Sequence, residues 1–160
     1  MTTEIRTLTT DEWALLRDLR FASLREAPDA FTSTVEREEG YPPEVWQLRT
    51  GTAAVAFVAG DPVGIAGWHR PPEEDHAELV GMWVQPAHRG TGVALRLVEF
   101  VVASTADDDL VLHVRPGNAR ARALYERAGF VPDGTDADRA EGVTLLRMRH
   151  RAEGPGRLGT

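Results

Sequence analysis

Apolar residues along the chain change period several times, between the spacing of a helix and that of a strand. From Trp13 to Leu24 they recur every three or four residues, which predicts a first helix. Thr9 or Thr10 can cap this helix, and Pro28 ends it. Short apolar or alternating runs predict strands over 5–8, 52–59, 63–69, 76–85, 110–115 and 143–148, with a further short strand at Phe130 and Val131.

Helical spacing and end signals predict three more helices. They run from Pro42 or Pro43 to Gly51, over 95–103, and from Asn118 to Gly129. Residues 29–40 are polar and are expected to be irregular. Because helices alternate with strands, we expect an α/β fold with a mixed central β-sheet of about six to seven strands flanked by about four helices.

Length and composition are those of one globular unit. With 160 residues, 42% of them hydrophobic and 27% charged, the chain suits a single domain over 1–150, followed by a flexible tail over 151–160. No apolar run approaches the roughly 20 residues that cross a bilayer, so no membrane association is expected. The N-terminus lacks the basic and apolar regions of a signal peptide, which makes the cytoplasm the expected compartment.

The charged and sulfur-containing residues exclude several kinds of chemistry. The absence of cysteine excludes a disulfide framework, a thiolate metal site and an acyl-cysteine intermediate. A net charge of −7 gives no general attraction to nucleic acid, so no nucleic-acid partner is expected. The five histidines show no metal-binding spacing, and no metal is expected.

The segment 84–95, Val-Gln-Pro-Ala-His-Arg-Gly-Thr-Gly-Val-Ala-Leu, carries the main chemical signal. An apolar strand enters a turn with Gly90 and Gly92, and an apolar helix follows, which suits a phosphate group held by helix N–H groups. Arg89 adds a positive charge. The lysine of a nucleotide-hydrolase loop is missing, and Leu95 replaces the third glycine of a dinucleotide fold. A tight turn without a ligand remains the alternative.

A second block downstream makes the pattern specific. The first block contains Arg89, Gly92 and Ala94, and the second contains Asn118, Ala121, Leu124, Tyr125, Gly129 and Phe130. Together, over about 78–131, they resemble the GNAT superfamily of N-acetyltransferases. The N-terminal third is similar to that family only in layout.

The resemblance implies acetyl-CoA as co-substrate. The strand before the turn would be distorted and splayed to admit the pantetheine arm, and Gly81 supports such a distortion. The family pattern places pantetheine contacts and pyrophosphate-binding N–H groups on Met82, Trp83, Val84, Arg89, Gly90, Thr91, Gly92, Val93 and Ala94, with further contacts from Asn118 and Tyr125. Asn118 would also cap the helix that follows it.

Transfer of an acyl group to an amine needs a base for the amine and an acid for the departing thiolate. Tyr125 matches the family's usual acid. For the base, Glu78 and His113 match positions used in different branches of the family, and a water chain without a single essential base is a third option. Each of the three has a purely structural alternative. Tyr125 could be a core aromatic residue, Glu78 an ion-paired carboxylate at a strand edge, and His113 a hydrogen-bonded core histidine.

The resemblance also suggests the acceptor side. Phe31, Trp68 and His69 are candidate walls of an amine pocket, although each alone could be an ordinary core or loop residue. We expect a cytoplasmic N-acetyltransferase that acts directly on a primary amine, with a small-molecule acceptor. A non-catalytic acyl-CoA-binding module and a protein N-terminal or lysine acetyltransferase are the alternatives. A homodimer is compatible with the resemblance.

Overall fold

The computed structural model describes residues 2–31, 33–138 and 142–153. Within them, seven strands form one mixed sheet in the order β1-β2-β3-β4-β5-β7-β6. The strands are β1 (Thr3–Thr7), β2 (Ala53–Val58), β3 (Asp61–His69), β4 (His76–Val84), β5 (Asp109–Val114), β6 (Val131–Asp138) and β7 (Val143–His150). Neighbouring strands are antiparallel, except that β4 and β5 are parallel. The predicted α/β class and mixed sheet are confirmed.

Five α-helices flank the sheet in the described part of the chain. They are α1 (Trp13–Glu26), α2 (Val35–Glu38), α3 (Pro43–Thr50), α4 (Val93–Ser104) and α5 (Ala119–Arg127). The expectation of an irregular segment over 29–40 is wrong at α2. The side chain of Thr34 accepts a hydrogen bond from the backbone N–H of Arg37 at 3.2 Å, and this N-cap stabilises a helix too short to show a period.

The helices cover both faces of the sheet. On one face, α1 and α3 pack over β2 through a cluster around Leu16, Trp46 and Val55. On the other face, α4 and α5 pack through a larger cluster that contains Leu97 and Phe130. Every residue of β2 is buried, because this strand lies between the two clusters.

Two features place a cleft at the centre of this fold. The single parallel pair, β4 and β5, lies in the middle of the sheet, and α4 begins directly after β4.

No helix of the described residues is long and apolar enough to span a bilayer. Most of the predicted tail, residues 154–160, lies outside the described residues.

Candidate active site

A cleft opens where β4 and β5 separate. The two strands pair only from His76 to Glu78 on β4, against residues 109–111 on β5. Beyond Glu78, β4 bulges at Gly81, which has φ +64°, and its register against β3 shifts at this point. The distortion predicted from Gly81 is therefore confirmed. The resulting cleft has a volume of about 880 Å³, and in the part of the chain that the structure describes no strand pairs with the β4 edge that faces it beyond Glu78.

The glycine turn closes one end of the cleft. Gly90 and Gly92 have φ values of +77° and +88°, and Gly92 is the N-cap residue of α4. A Cβ on Gly92 would meet no atom within 4 Å, so backbone conformation rather than space requires glycine here. The first N–H groups of α4, from Val93 onward, have no partner within the helix and can bind an anion at this end of the cleft.

Arg89 serves the fold more than the anion site. Its guanidinium group donates to Glu26 at 2.8 Å and to the carbonyl of Val84 at 3.0 Å, and its backbone N–H donates to Pro86. The bonds from Arg89 and from the indole of Trp83 hold the pKa of Glu26 below its ordinary value. The positive charge predicted for Arg89 is thus compensated by Glu26, which ties α1 to the end of β4, and the predicted contact of Arg89 with the cofactor stays a prediction.

Arg120 supplies a positive charge that sequence reasoning did not identify. It lies in the first turn of α5 and lines the cleft, with Nη2 3.9 Å from the position of a Cβ on Gly90. Among the described residues, no carboxylate forms an ion pair with it, in contrast to Arg89. Its position two residues after Asn118 is the only sequence signal, because the turn and α5 meet only in the folded chain.

The start and middle of α5 carry the other two predicted cofactor residues. The side-chain oxygen of Asn118 accepts a hydrogen bond from the backbone N–H of Ala121 at 3.1 Å, so the predicted cap is confirmed. Tyr125 lines the cleft, is 7% exposed, and packs edge-on against Phe130 at 6.0 Å between ring centres. Burial raises the pKa of Tyr125 to about 12, so its phenol keeps its proton.

The two predicted base candidates lie in contact. Nδ1 of His113 is 3.2 Å from Glu78, and its Nε2 is 2.8 Å from Asp136. The bond to Glu78, with help from Asp136, raises the pKa of His113 despite burial. The same bond lowers the pKa of Glu78, so the pair favours a carboxylate beside an imidazolium. Asp136 was not predicted, because β6 reaches β5 only through the intervening β7.

This chain of three side chains separates two clefts. Glu78 and His113 line both the main cleft and a second cleft of about 540 Å³, which Asp136 also lines. At the second cleft, Glu74, Asp75 and His76 have potential metal-ligand atoms within 4.8 Å of one another. The first two are exposed, and the expectation that no metal is bound stays a prediction.

The three predicted acceptor-pocket residues have different surroundings. Phe31 lines the main cleft, and the guanidinium carbon of Arg20 lies 4.9 Å above its ring. His69 lies beside the base candidates, with Nε2 3.6 Å from Glu78. Trp68 is 7% exposed, belongs to the core cluster under α4 and lines neither cleft, which favours the alternative of an ordinary core residue. Successive side chains of β3 point to opposite faces of the sheet, and that of Trp68 points into the core.

Comparison with known proteins agrees with this architecture. The chain is 35% identical over 68 residues to the mycothiol acetyltransferase of Beutenbergia cavernae, which is 41% of this chain and 23% of that protein. It is 36% identical over 59 residues to the 5-NmdU N-acetyltransferase of Pseudomonas phage PaMx11, which is 37% of this chain and 41% of that protein. Each match spans less than half of the relative's length.

The fold is similar to that of solved acetyltransferases. PaiA N-acetyltransferase from Thermoplasma acidophilum, solved in complex with coenzyme A, superposes with a TM-score of 0.68 at 17% identity, over 94% of this chain and 99% of that one. The model of the Acetyltransferase (GNAT) family matches residues 14–130, well over half of the chain. The protein therefore belongs to the GNAT family of acetyltransferases.

Proposed function

We propose that the protein is an N-acetyltransferase that transfers the acetyl group of acetyl-CoA directly to a primary amine of a small molecule. One observation carries the proposal: the Tyr125 phenol and the Glu78–His113 pair line the same cleft that the glycine turn closes. Transfer of an acetyl group from a CoA thioester to an amine needs an acid, a base and a site that binds the phosphate groups of CoA.

The cofactor enters along β4 in this proposal. Amide groups of pantetheine pair with the open backbone edge around Met82 and Trp83, as an added strand would. The pyrophosphate lies against the turn, from Gly90 to the first N–H groups of α4, with Arg120 as the adjacent cation. The coenzyme A bound to PaiA supports this choice of co-substrate.

The chemical step forms a C–N bond and breaks the C–S bond of the thioester. Glu78 accepts the proton of the attacking amine, directly or through one water. Hydrogen bonds connect Glu78 through His113 to Asp136, which lines the second cleft. Tyr125 donates its proton to the departing thiolate. Since the chain has no cysteine for an acyl-cysteine relay, direct transfer within one ternary complex is the simplest route.

A small-molecule acceptor is favoured by the relatives' activities. One relative is named as a mycothiol acetyltransferase and the other as a 5-NmdU N-acetyltransferase, so neither name specifies a protein acceptor and one specifies transfer to nitrogen. The acceptor half of the main cleft, at Phe31, is formed by the segment between α1 and α2. Such connecting segments carry specificity on a rigid scaffold.

The test is thiol release from acetyl-CoA with a library of primary amines, with mass spectrometry of the acetylated products. We expect release to depend on an added amine and the product to gain one acetyl group. A matched library of peptides with free N-termini tests the alternative class of acceptor. Stabilisation of the fold by acetyl-CoA without turnover of any amine or peptide would refute the proposal and favour a binding module.

A further inference from the structure

Arg20 brings a guanidinium group to the acceptor half of the main cleft. It lies on α1 and lines the cleft where β4 bulges, with Nη1 3.5 Å from the position of a Cβ on Gly81. The Phe31 ring packs against the guanidinium carbon at 4.9 Å. The side chain is only 18% exposed, so its position is set by packing on two sides.

A buried carboxylate holds Arg20 in a fixed orientation. Nε and Nη2 donate to Glu38 at 3.0 and 2.9 Å, and Glu38 also accepts bonds from Ser33 and from Nη1 of Arg49. Although burial raises the pKa of Glu38, the bonds from Arg20, Ser33 and Arg49 lower it below its ordinary value, so it is ionised. These two parallel hydrogen bonds to one carboxylate leave the guanidinium group of Arg20 little freedom to turn away from the cleft.

The third guanidinium nitrogen of Arg20, Nη1, is the one that lies next to Gly81. Among the described residues, no hydrogen bond involves its Nη1, although the other two guanidinium nitrogens are bonded. Two arginines, Arg20 and Arg49, share the single carboxylate of Glu38, so the group carries one excess positive charge. That charge faces the cleft through Arg20, because Arg49 packs on Tyr41 and Trp46 instead.

We propose that Arg20 binds a carboxylate of the acceptor, so that the acceptor is a small amine that also carries a carboxylate, as in an amino acid. This inference rests on the proposed function. Nη1 provides a charge-assisted hydrogen bond that is already oriented. Glu78, the proposed base, lies on β4 three residues before Gly81 and lines the same cleft as Arg20, so the two ends of a zwitterion meet opposite charges. Arg20 is a specificity residue, and it takes no part in proton transfer.

The test compares pairs of amines that differ only in the carboxylate: lysine with 1,5-diaminopentane, phenylalanine with phenethylamine, and 4-aminobutyrate with propylamine. We expect the natural enzyme to favour the carboxylate-bearing members. Arg20→Gln lowers kcat/KM for those members about 10- to 100-fold, the effect of one lost charge-assisted hydrogen bond. For the amines without a carboxylate, kcat/KM of Arg20→Gln stays close to that of the natural enzyme, and the KM for acetyl-CoA is unchanged.

Arg49→Gln is the matched control, because it also removes a bond to Glu38 but does not line the cleft. It should leave both members of each pair unaffected. Arg20→Lys keeps the charge and should restore part of the preference. An equal loss on both members after Arg20→Gln, or a change in the KM for acetyl-CoA, overturns the inference but leaves the proposed function intact.

A binding measurement keeps the inference independent of turnover. The carboxylate-bearing amines should raise the melting temperature of the complex with CoA, and Arg20→Gln should abolish that shift while Arg49→Gln retains it. If no amine supports thiol release but the shift is seen, the proposed function fails and the Arg20 site stands. If no carboxylate-bearing amine produces the shift, the Arg20 site is refuted.

Discussion

Replacement of Tyr125 by phenylalanine separates the chemical role of its hydroxyl from its role in the core. The ring contributes to the cluster under α4, contacts Phe130 and is 7% exposed, and phenylalanine keeps all of that packing. The hydroxyl has no hydrogen bond to another described residue. We therefore expect the free energy of unfolding to change by less than about 0.5 kcal/mol, which is a shift of about 1–2 °C in melting temperature.

The effect of Tyr125→Phe on kcat should be much larger than its effect on stability. General acid catalysis contributes about 10²- to 10⁴-fold, so kcat should fall about 100-fold or more while the affinity for acetyl-CoA changes little. With a pKa of about 12, only about 1% of the Tyr125 phenol is ionised at pH 10, against about half of an ordinary tyrosine. The natural enzyme should consequently show no loss of kcat from phenol ionisation between pH 9 and pH 10.

The assay is thiol release from acetyl-CoA at saturating amine, with thermal unfolding of the same preparations. Tyr41→Phe is the matched control, since Tyr41 is the chain's other tyrosine and packs on Trp46 away from the cleft. Unchanged kcat in Tyr125→Phe at every pH would remove Tyr125 from the acid role. A melting temperature lowered by several degrees would show that the hydroxyl has a structural partner.

Two further predictions concern the base and the anion site. Asp136→Asn removes a carboxylate that raises the pKa of His113, so that pKa falls. Because Glu78 and His113 share a hydrogen bond and titrate as a pair, the pH at which the pair can take the proton of the amine falls too, and the rising limb of kcat against pH, measured with one amine, moves to lower pH. An unchanged or higher midpoint would contradict the coupling. Arg120→Gln raises the KM for acetyl-CoA several-fold at low salt and less at high salt, because no carboxylate among the described residues forms an ion pair with Arg120. The double variant Arg89→Gln/Glu26→Gln, which removes a compensated ion pair without changing the net charge, should change that KM less, and equal effects of the two replacements would refute the distinction.

The local elements of the fold could be predicted because each depends on neighbours in the chain. The buried strand over 52–59, the helix after the glycine turn and the helix between Asn118 and Gly129 follow from apolar spacing and end signals alone. Gly81 also supported a distortion of β4, since an isolated glycine in a strand often marks a bulge, although a simple packing glycine was the alternative. Helix α2 was missed because one turn is too short to show a period.

The partners of each candidate residue could not be predicted, because they come from distant parts of the chain. The sequence identified Glu78 and His113 as rival bases, but only the parallel pairing of β4 with β5 brings them to 3.2 Å. The sequence predicted a positive charge at Arg89, but only the tertiary structure places Glu26 of α1 against it. Hydrogen bonds and ion pairs between such residues depend on distances of a few ångströms, which spacing in the sequence does not encode.

By itself, then, the amino-acid sequence determined the family, the glycine turn and the residue types available for acyl transfer, because these depend on short motifs and on backbone conformation. The tertiary structure decided which charges are free and which are paired. It left Arg120 and one nitrogen of Arg20 facing the cleft, compensated Arg89, and joined His113 to two carboxylates. The physical reason is that a charge acts on a ligand only where no nearer partner in the folded chain neutralises it.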